Sequence, residues 1–335
     1  MLFFECVSVF ILSFLLVYLV RRYASVCNLI DIPNERSTHT SHIPRGAGIG
    51  FFLAVALLFP LFFFEYVSEY YWSFVAICMV FAVGVLDDFR ETSVNVKFSV
   101  LILAAGLLCF DNILINHIGV FFGIDITLGW FALPFTIFAV VGFTNALNLI
   151  DGLDGLSASI SIVILGGLLV IGFMHHDTMM MMLSGAFIIS LFAFLIFNWH
   201  PASIFMGDSG SLTLGFVISL LSVKALAYIP TVSVLFLAAI PIIDTIVVMI
   251  RRKRNGRSMF AADHCHMHHI LRDFFHQNTP KTVFFLMILQ AIYTVTALQL
   301  SKTIDEGWLL ILFLLNIMLV YIFLMTLIQR QQRKC

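Results

Sequence analysis

FTNALNLIDGLDGLS, residues 143–157, decides how the chain is read, because it breaks a strongly apolar sequence with a run of polar side chains. Asn145, Asn148, Asp151 and Asp154 recur every third residue, so each adjoins the next along a helix end. Two carboxylates and two carboxamides therefore converge beside a membrane, a costly arrangement unless they face a cavity, a cation or a substrate. Gly152 and Gly155 let the backbone turn and approach a ligand, while Leu149, Ile150 and Leu153 keep packing. A polar seam gluing helices together is the bland alternative, and paired aspartates at such depth argue against it.

The flanking sequence sets the class. The 335 residues are 61% hydrophobic and 11% charged, with a mean hydropathy of +1.04, which excludes a soluble domain. Its long segments are continuous apolar runs of about 20 residues, as membrane helices require, not the short alternating strands of a barrel. The expected fold is an all-α polytopic integral membrane protein, one domain over residues 1–335. Candidate spans lie near residues 1–20, 47–64, 70–86, 97–115, 131–150, 156–173, 179–197, 211–229, 231–250, 282–300 and 307–327, eleven in all. The first reads as a retained span, since no small-residue cleavage site follows it. With the N-terminus outside and the C-terminus cytoplasmic, sixteen Lys and Arg residues fall inside and only Lys224 and Lys302 outside. The same parity puts the segments around Asp87, Asn148, Asp208 and His266 on the cytoplasmic face. Asn116–Trp130 on the outer side reads as either a small hairpin or a plain loop, and His175, His176 and Asp177 are assigned no role. Six scattered cysteines suggest neither a disulfide framework nor a thiolate metal site.

Three further polar clusters accompany the central one. Asp87 and Asp88 end the third span in VGVLDDFRETS, where adjacent carboxylates favour a nearby cation or leave one member fit to take a proton. In NWHPASIFMGDSGSLTLGF, residues 198–216, Asp208 precedes Ser209, Gly210 and Ser211 at a helix start. That setting suits a phosphate bridged to the carboxylate by magnesium, with an ordinary N-cap as the alternative. The loop RRKRNGRSMFAADHCHMHHILRD, residues 251–273, carries a basic anchor and then His264, His266, His268 and His269. These histidines suit donors to a diphosphate or a sugar oxygen better than a zinc site, whose remaining ligand and second shell are not evident. Asp244, following Pro241 in the ninth span, is another buried carboxylate, and Pro241 is expected to help kink that helix. Together the clusters point to magnesium, a diphosphate and a group that lives in the bilayer.

VLDD, NALNLIDGLDGLS, FMGDSGSL and the histidines at 266, 268 and 269 resemble, in order and spacing, the polyprenyl-phosphate N-acetylhexosamine-1-phosphate transferases, glycosyltransferase family 4. The resemblance extends to NLIDIPNERSTHTSHIPRGAG and is nearer to the bacterial undecaprenyl-phosphate N-acetylglucosaminyl-1-phosphate transferases than to the muramoyl-pentapeptide transferases, which usually carry three consecutive histidines. It implies attack by undecaprenyl phosphate on the β-phosphorus of a UDP-N-acetylhexosamine, with magnesium as cofactor and manganese able to substitute. Product and setting follow: a lipid-linked diphosphosugar that initiates a cell-envelope polysaccharide, made at the bacterial inner membrane. Nucleic acid is not an expected partner, and a homodimer is left open. Carried over, Asn148 and Asp208 look like metal ligands; Asp87, Asp88, Asp151 and Asp154 are the catalytic set, with Asp87 acting on the lipid phosphate. Asn198 and Phe205 match uracil contacts, with Gly152, Asp151 and Asp154 near the nucleotide, and Asn145, Gly152, His266, His268 and His269 complete the substrate-binding set. Arg45 and Ala47 depart from the common Gly-Gly form, which bears on the sugar, a 6-deoxyhexosamine being one alternative. From another class, a lipid-diphosphate flippase predicts polar residues at mid-span in both halves of the chain.

Overall fold

The computed structural model describes residues 3–32, 42–259, 265–300 and 303–331. His264 and part of the early polar segment lie outside them. Without water, a spanning backbone must close its hydrogen bonds within itself, and the apolar runs do so as helices. In chain order these are α1 (Phe3–Tyr23), α2 (Ala47–Phe62), α3 (Phe64–Glu69), α4 (Tyr71–Phe89), α5 (Val94–Leu107), α6 (Ala132–Ile150) and α7 (Leu156–Met174). They continue with α8 (Thr178–Asn198), α9 (Asp208–Ala225), α10 (Thr231–Leu237), α11 (Ala239–Arg254), α12 (Met267–Phe274), α13 (Thr279–Leu300) and α14 (Glu306–Arg330). Each expected span falls on a helix, but the helices are not equivalent. Among the described residues eight helical segments are long and apolar enough to cross a membrane, and α10 with α11, bent by 87° at a short break, would make a ninth. The break lies at Ala238, whereas Pro241 sits in the first turn of α11, where its missing N–H costs nothing.

Helix α2 has only 16 residues, and α9 is rich in Ser, Thr and Gly. The reason is position: sixteen of the eighteen residues of α9 are buried, enclosed by α2, α4, α6, α7 and α8. A helix shielded by protein needs no apolar coat, and two of its hydroxyls bond to its own carbonyls, Thr213 to Ser209 at 2.7 Å and Ser219 to Gly215 at 2.8 Å. By contrast, α14 exposes Leu312, Leu315, Leu319 and Phe323, a surface that only an apolar environment would favour.

Glycines set how closely α9 is held. A Cβ on Gly48 of α2 would lie 2.0 Å from the Gly210 nitrogen, and one on Gly84 of α4 would lie 2.6 Å from the Asp208 carbonyl oxygen. The first turn of α9 is thus pinched between two neighbouring backbones.

Two small ribbons complete the fold. β1 (Ile30–Asp31) pairs with β2 (Ile43–Pro44) next to α2. The segment left open between hairpin and loop is a hairpin: β3 (His117–Phe121) pairs antiparallel with β4 (Ile124–Thr127). Phe122 and Gly123 turn it with positive φ of 52° and 84°, the backbone a two-residue hairpin turn demands. At this end of the bundle Asp177 caps α8 by accepting from Met180 N at 2.9 Å, and its other oxygen meets Lys224 Nζ and the Tyr228 hydroxyl, each at 2.8 Å. Burial alone would raise the Asp177 carboxyl, but Lys224, the Met180 amide and Tyr228 hold it below its ordinary value. Cys6, Cys27, Cys78 and Cys109 are free, whereas Cys265 is disulfide-bonded.

Candidate active site

At the opposite end of α9 the four polar clusters meet. The last turn of α4 presents Asp87 and Asp88, and the loop after it folds back so that Thr92 donates to Asp87 Oδ1 from its backbone N–H at 2.8 Å and its hydroxyl at 2.7 Å. Lys97, in the first turn of α5, places its ammonium 3.0 Å from Asp87 Oδ2 and 2.8 Å from Asp208 Oδ2. From the last turn of α6, Asn148 Nδ2 donates to Asp208 Oδ1 at 3.0 Å and to Ser211 Oγ at 2.8 Å. One ammonium and one amide therefore hold two half-buried carboxylates from segments far apart in sequence.

Asp88 behaves differently. It is 2% exposed, and its oxygens accept the N–H groups of Asp208 at 2.8 Å and Ser209 at 3.1 Å. This is helix capping in trans: the donors that α9 cannot satisfy internally are satisfied from α4. Gly207, with φ of 76°, makes the approach feasible, since a Cβ there would lie 2.6 Å from both Asp88 oxygens. Arg45 joins from the other side, donating from its guanidinium to the Asp88 carbonyl at 3.0 Å.

The connection from α8 to α9 is tied down on three sides. Asp154 accepts from His200 Nδ1 at 2.7 Å and from Ala202 N at 3.1 Å. Asn198 accepts from Gly155 N and donates to the Ile204 carbonyl, both at 2.9 Å. The carbonyls of Phe205 and Met206 receive Ala47 N at 3.0 Å and Gly48 N at 2.9 Å. Asp154 and Asn198, expected at the nucleotide, spend these bonds on the fold. Phe205 remains half-buried beside them.

The histidine loop closes the arrangement. His268 lies directly over Gly152, where a Cβ would be 2.5 Å from its Nε2. Its ring stacks on His266 at 5.7 Å and meets His269 at 4.2 Å. Two buried arginines of the basic run hold this loop, Arg251 donating to the Cys265 carbonyl at 2.6 Å and Arg252 to the Met259 carbonyl at 2.7 Å. Asp151 stands in the turn between α6 and α7, and Asn145 lies on α6 one turn before Asn148, half-buried. Burial, reinforced by the charges of Asp208, Asp88 and Asp154, pushes the Asp151 carboxyl up to about 7. Among the described residues no three His, Cys, Asp or Glu side chains converge as a metal cage.

Sequence reasoning overlooked Lys97, counted only as a topogenic cation, although an isolated lysine opening an apolar run nine residues after an aspartate pair was the available signal. It also gave Arg45 no contact with Asp88.

A carboxylate-lined centre at one end of an apolar helical bundle marks a candidate functional site of a polytopic membrane protein. Comparison narrows the class: the chain belongs to glycosyl transferase family 4, whose match covers residues 70–226 and so includes Asp87, Lys97, Asn148 and Asp208. A probable undecaprenyl-phosphate N-acetylglucosaminyl 1-phosphate transferase of Bacillus subtilis is 33% identical over 322 residues, 93% of this chain and 89% of the relative. The undecaprenyl-phosphate alpha-N-acetylglucosaminyl 1-phosphate transferases of Salmonella typhi and Escherichia coli K12 are 30% and 28% identical, each over 93% of this chain and 88% of their own length.

Proposed function

We propose that this protein transfers N-acetylglucosamine 1-phosphate from a UDP-sugar to undecaprenyl phosphate, starting a lipid-linked saccharide at the cytoplasmic membrane. The observation that carries the reading is the Asp87–Lys97–Asp208–Asn148 cluster at one end of the bundle, in a chain similar over most of its length to enzymes named for that reaction. In the transfer, an oxygen of the lipid phosphate bonds to the β-phosphorus of the donor. The bond from that phosphorus to the bridging oxygen breaks, and UMP leaves with the oxygen. Nothing covalent is asked of the protein, so catalysis is positioning and charge neutralisation.

The cluster's chemistry fits magnesium. Its donors are hard oxygens, and magnesium characteristically takes one or two protein ligands and shares the rest with substrate phosphates and water. Asp208 and Asn148 would hold it, and the ammonium lodged between two carboxylates marks the place where positive charge is favoured. When bound, the ion neutralises charge developing on the diphosphate. Lys97 contributes a fixed charge there, Asp87 orients the acceptor phosphate, and Phe205 offers a face to the donor's base. Asp88, Asp154 and Asn198 act by holding these groups in place.

The orientation that collects sixteen basic residues on one side puts this end of the bundle in the cytoplasm, where nucleotide sugars are made. Alkaline phosphatase activity from a fusion near Gly256 would contradict it. The decisive assay incubates purified protein with undecaprenyl phosphate and a panel of UDP-sugars, reading lipid product by mass and released UMP. UDP-N-acetylglucosamine should give both, and a protein that only moves lipid diphosphates would release no UMP.

A further inference from the structure

Asp244 lies well inside α11, is 1% exposed, and has no role in the reaction outlined above. A carboxylate at such depth must be paired to be tolerated. Both of its oxygens are engaged across the histidine loop: Oδ2 meets His266 Nδ1 at 2.7 Å, and Oδ1 accepts the Met267 N–H at 2.6 Å. The second bond caps the first turn of α12, so the same side chain fixes both the imidazole and the helix that starts beside it. His266 is itself only 5% exposed, and its ring stacks within 15° of parallel on His268, the residue that covers Gly152.

We propose that Asp244 is a positioning residue for the transfer reaction: it locks His266 as the tautomer protonated on Nδ1, so that Nε2 offers a lone pair to a hydroxyl of the donor sugar. This deepens the transferase reading and rests on it. An ionised carboxylate only accepts, so a 2.7 Å contact requires the proton to sit on Nδ1. Carboxylates that orient metal-binding imidazoles fix ring orientation and tautomer in this way, their loss typically costing about 10–100-fold in affinity or activity, and a loss of the same order is expected here. Arg251 supports the same geometry by holding the Cys265 carbonyl at 2.6 Å, just before His266.

Asp244→Asn separates positioning from folding. Its amide keeps an oxygen for the Met267 N–H and turns an NH₂ toward Nδ1, which drives the ring proton to Nε2. The expected result is a kcat lowered about 10–100-fold with an unchanged unfolding temperature. His266→Ala should produce a similar loss, and the double variant should be no worse than His266→Ala alone. Additive losses, or full turnover by Asp244→Asn, would overturn the proposal. Nitrogen NMR of the histidine-labelled wild-type protein gives a test that needs no turnover, the His266 signal being the one missing from His266→Ala. Pyrrole-type Nδ1 with unprotonated Nε2 is expected, and the opposite tautomer would sink the proposal even in an active enzyme. A wild-type protein inactive on every UDP-sugar would instead sink the transferase reading.

Discussion

The carboxylate of Asp88 accepts the N–H of Asp208 at 2.8 Å, so the second of two adjacent aspartates holds the start of the helix on which the central carboxylate stands. Asp87 instead meets Thr92 and Lys97, so the two members of the pair serve different partners, although nothing in the dipeptide distinguishes them.

The division makes the two positions respond differently. Asp88→Ala would bury two amide donors of α9 without partners, a cost of about 1–3 kcal/mol each, and should lower the unfolding temperature sharply. Asp87→Asn removes a half-buried charge that Thr92 and Lys97 still flank. It should depress turnover while leaving both the unfolding temperature and UDP-sugar binding near wild type. Thermal melts in detergent alongside donor titrations would check this; equal destabilisation by both substitutions would contradict it.

Lys97 joins Asp87 and Asp208, and removing its charge leaves two carboxylates facing one another. Lys97→Gln is expected to lower kcat by about 10²-fold, the typical cost of losing one preorganised charge-stabilising group. Asp208→Asn should remove most activity at any magnesium concentration, because the missing charge weakens both ion binding and charge neutralisation. Recovery of Asp208→Asn by added magnesium would show that the carboxylate acts only through affinity.

How much of this was legible beforehand depends on what each residue's signal was. Asn148, Asp151 and Asp208 stood out because polar groups in an apolar chain are costly, and that cost can be read without coordinates. What could not be read is how carboxylates and amides divide between reaction and scaffold. Asp154 and Asn198 look like neighbours of a nucleotide in the sequence, yet one ties down His200 and Ala202 and the other bridges Gly155 and Ile204. Apart from the His200 ring their partners are backbone groups, and the packing of α8 against α7 brings them near. Helix α9 was hard to judge for the opposite reason: its hydroxyls lower its apolarity because protein, not lipid, surrounds it.

The pinch on α9 gives a packing prediction. Gly48→Ala and Gly84→Ala would drive a methyl group into backbone of the first turn of α9, and neither neighbour can swing aside as a side chain would. Each should cost about 1–3 kcal/mol and reduce turnover by shifting Asp208. A Cβ added at Gly166 in α7 would meet nothing within 4 Å, so Gly166→Ala should be neutral or gain up to about 1 kcal/mol from helix propensity. Loss of activity in Gly166→Ala equal to that in Gly48→Ala would remove the basis of the argument.

The far end of α9 yields a prediction with a pH signature. Asp177 is held below the ordinary carboxylate value of 3.8, since Lys224, the Met180 amide and Tyr228 outweigh the effect of its burial. A carboxyl whose folded pKa is depressed adds stability that is fully present above the unfolded value and is lost as pH falls through the folded one. At neutral pH, Asp177→Asn should therefore be less stable than wild type by about 2 kcal/mol, because Lys224 is left without its anionic partner while the new amide still caps α8. The gap between the two proteins should hold from pH 7 down to the ordinary carboxylate range and close only below it. Parallel thermal melts of both proteins at stepped pH would measure this. A gap that already vanishes between pH 7 and 6 would mean that some other group carries the linkage.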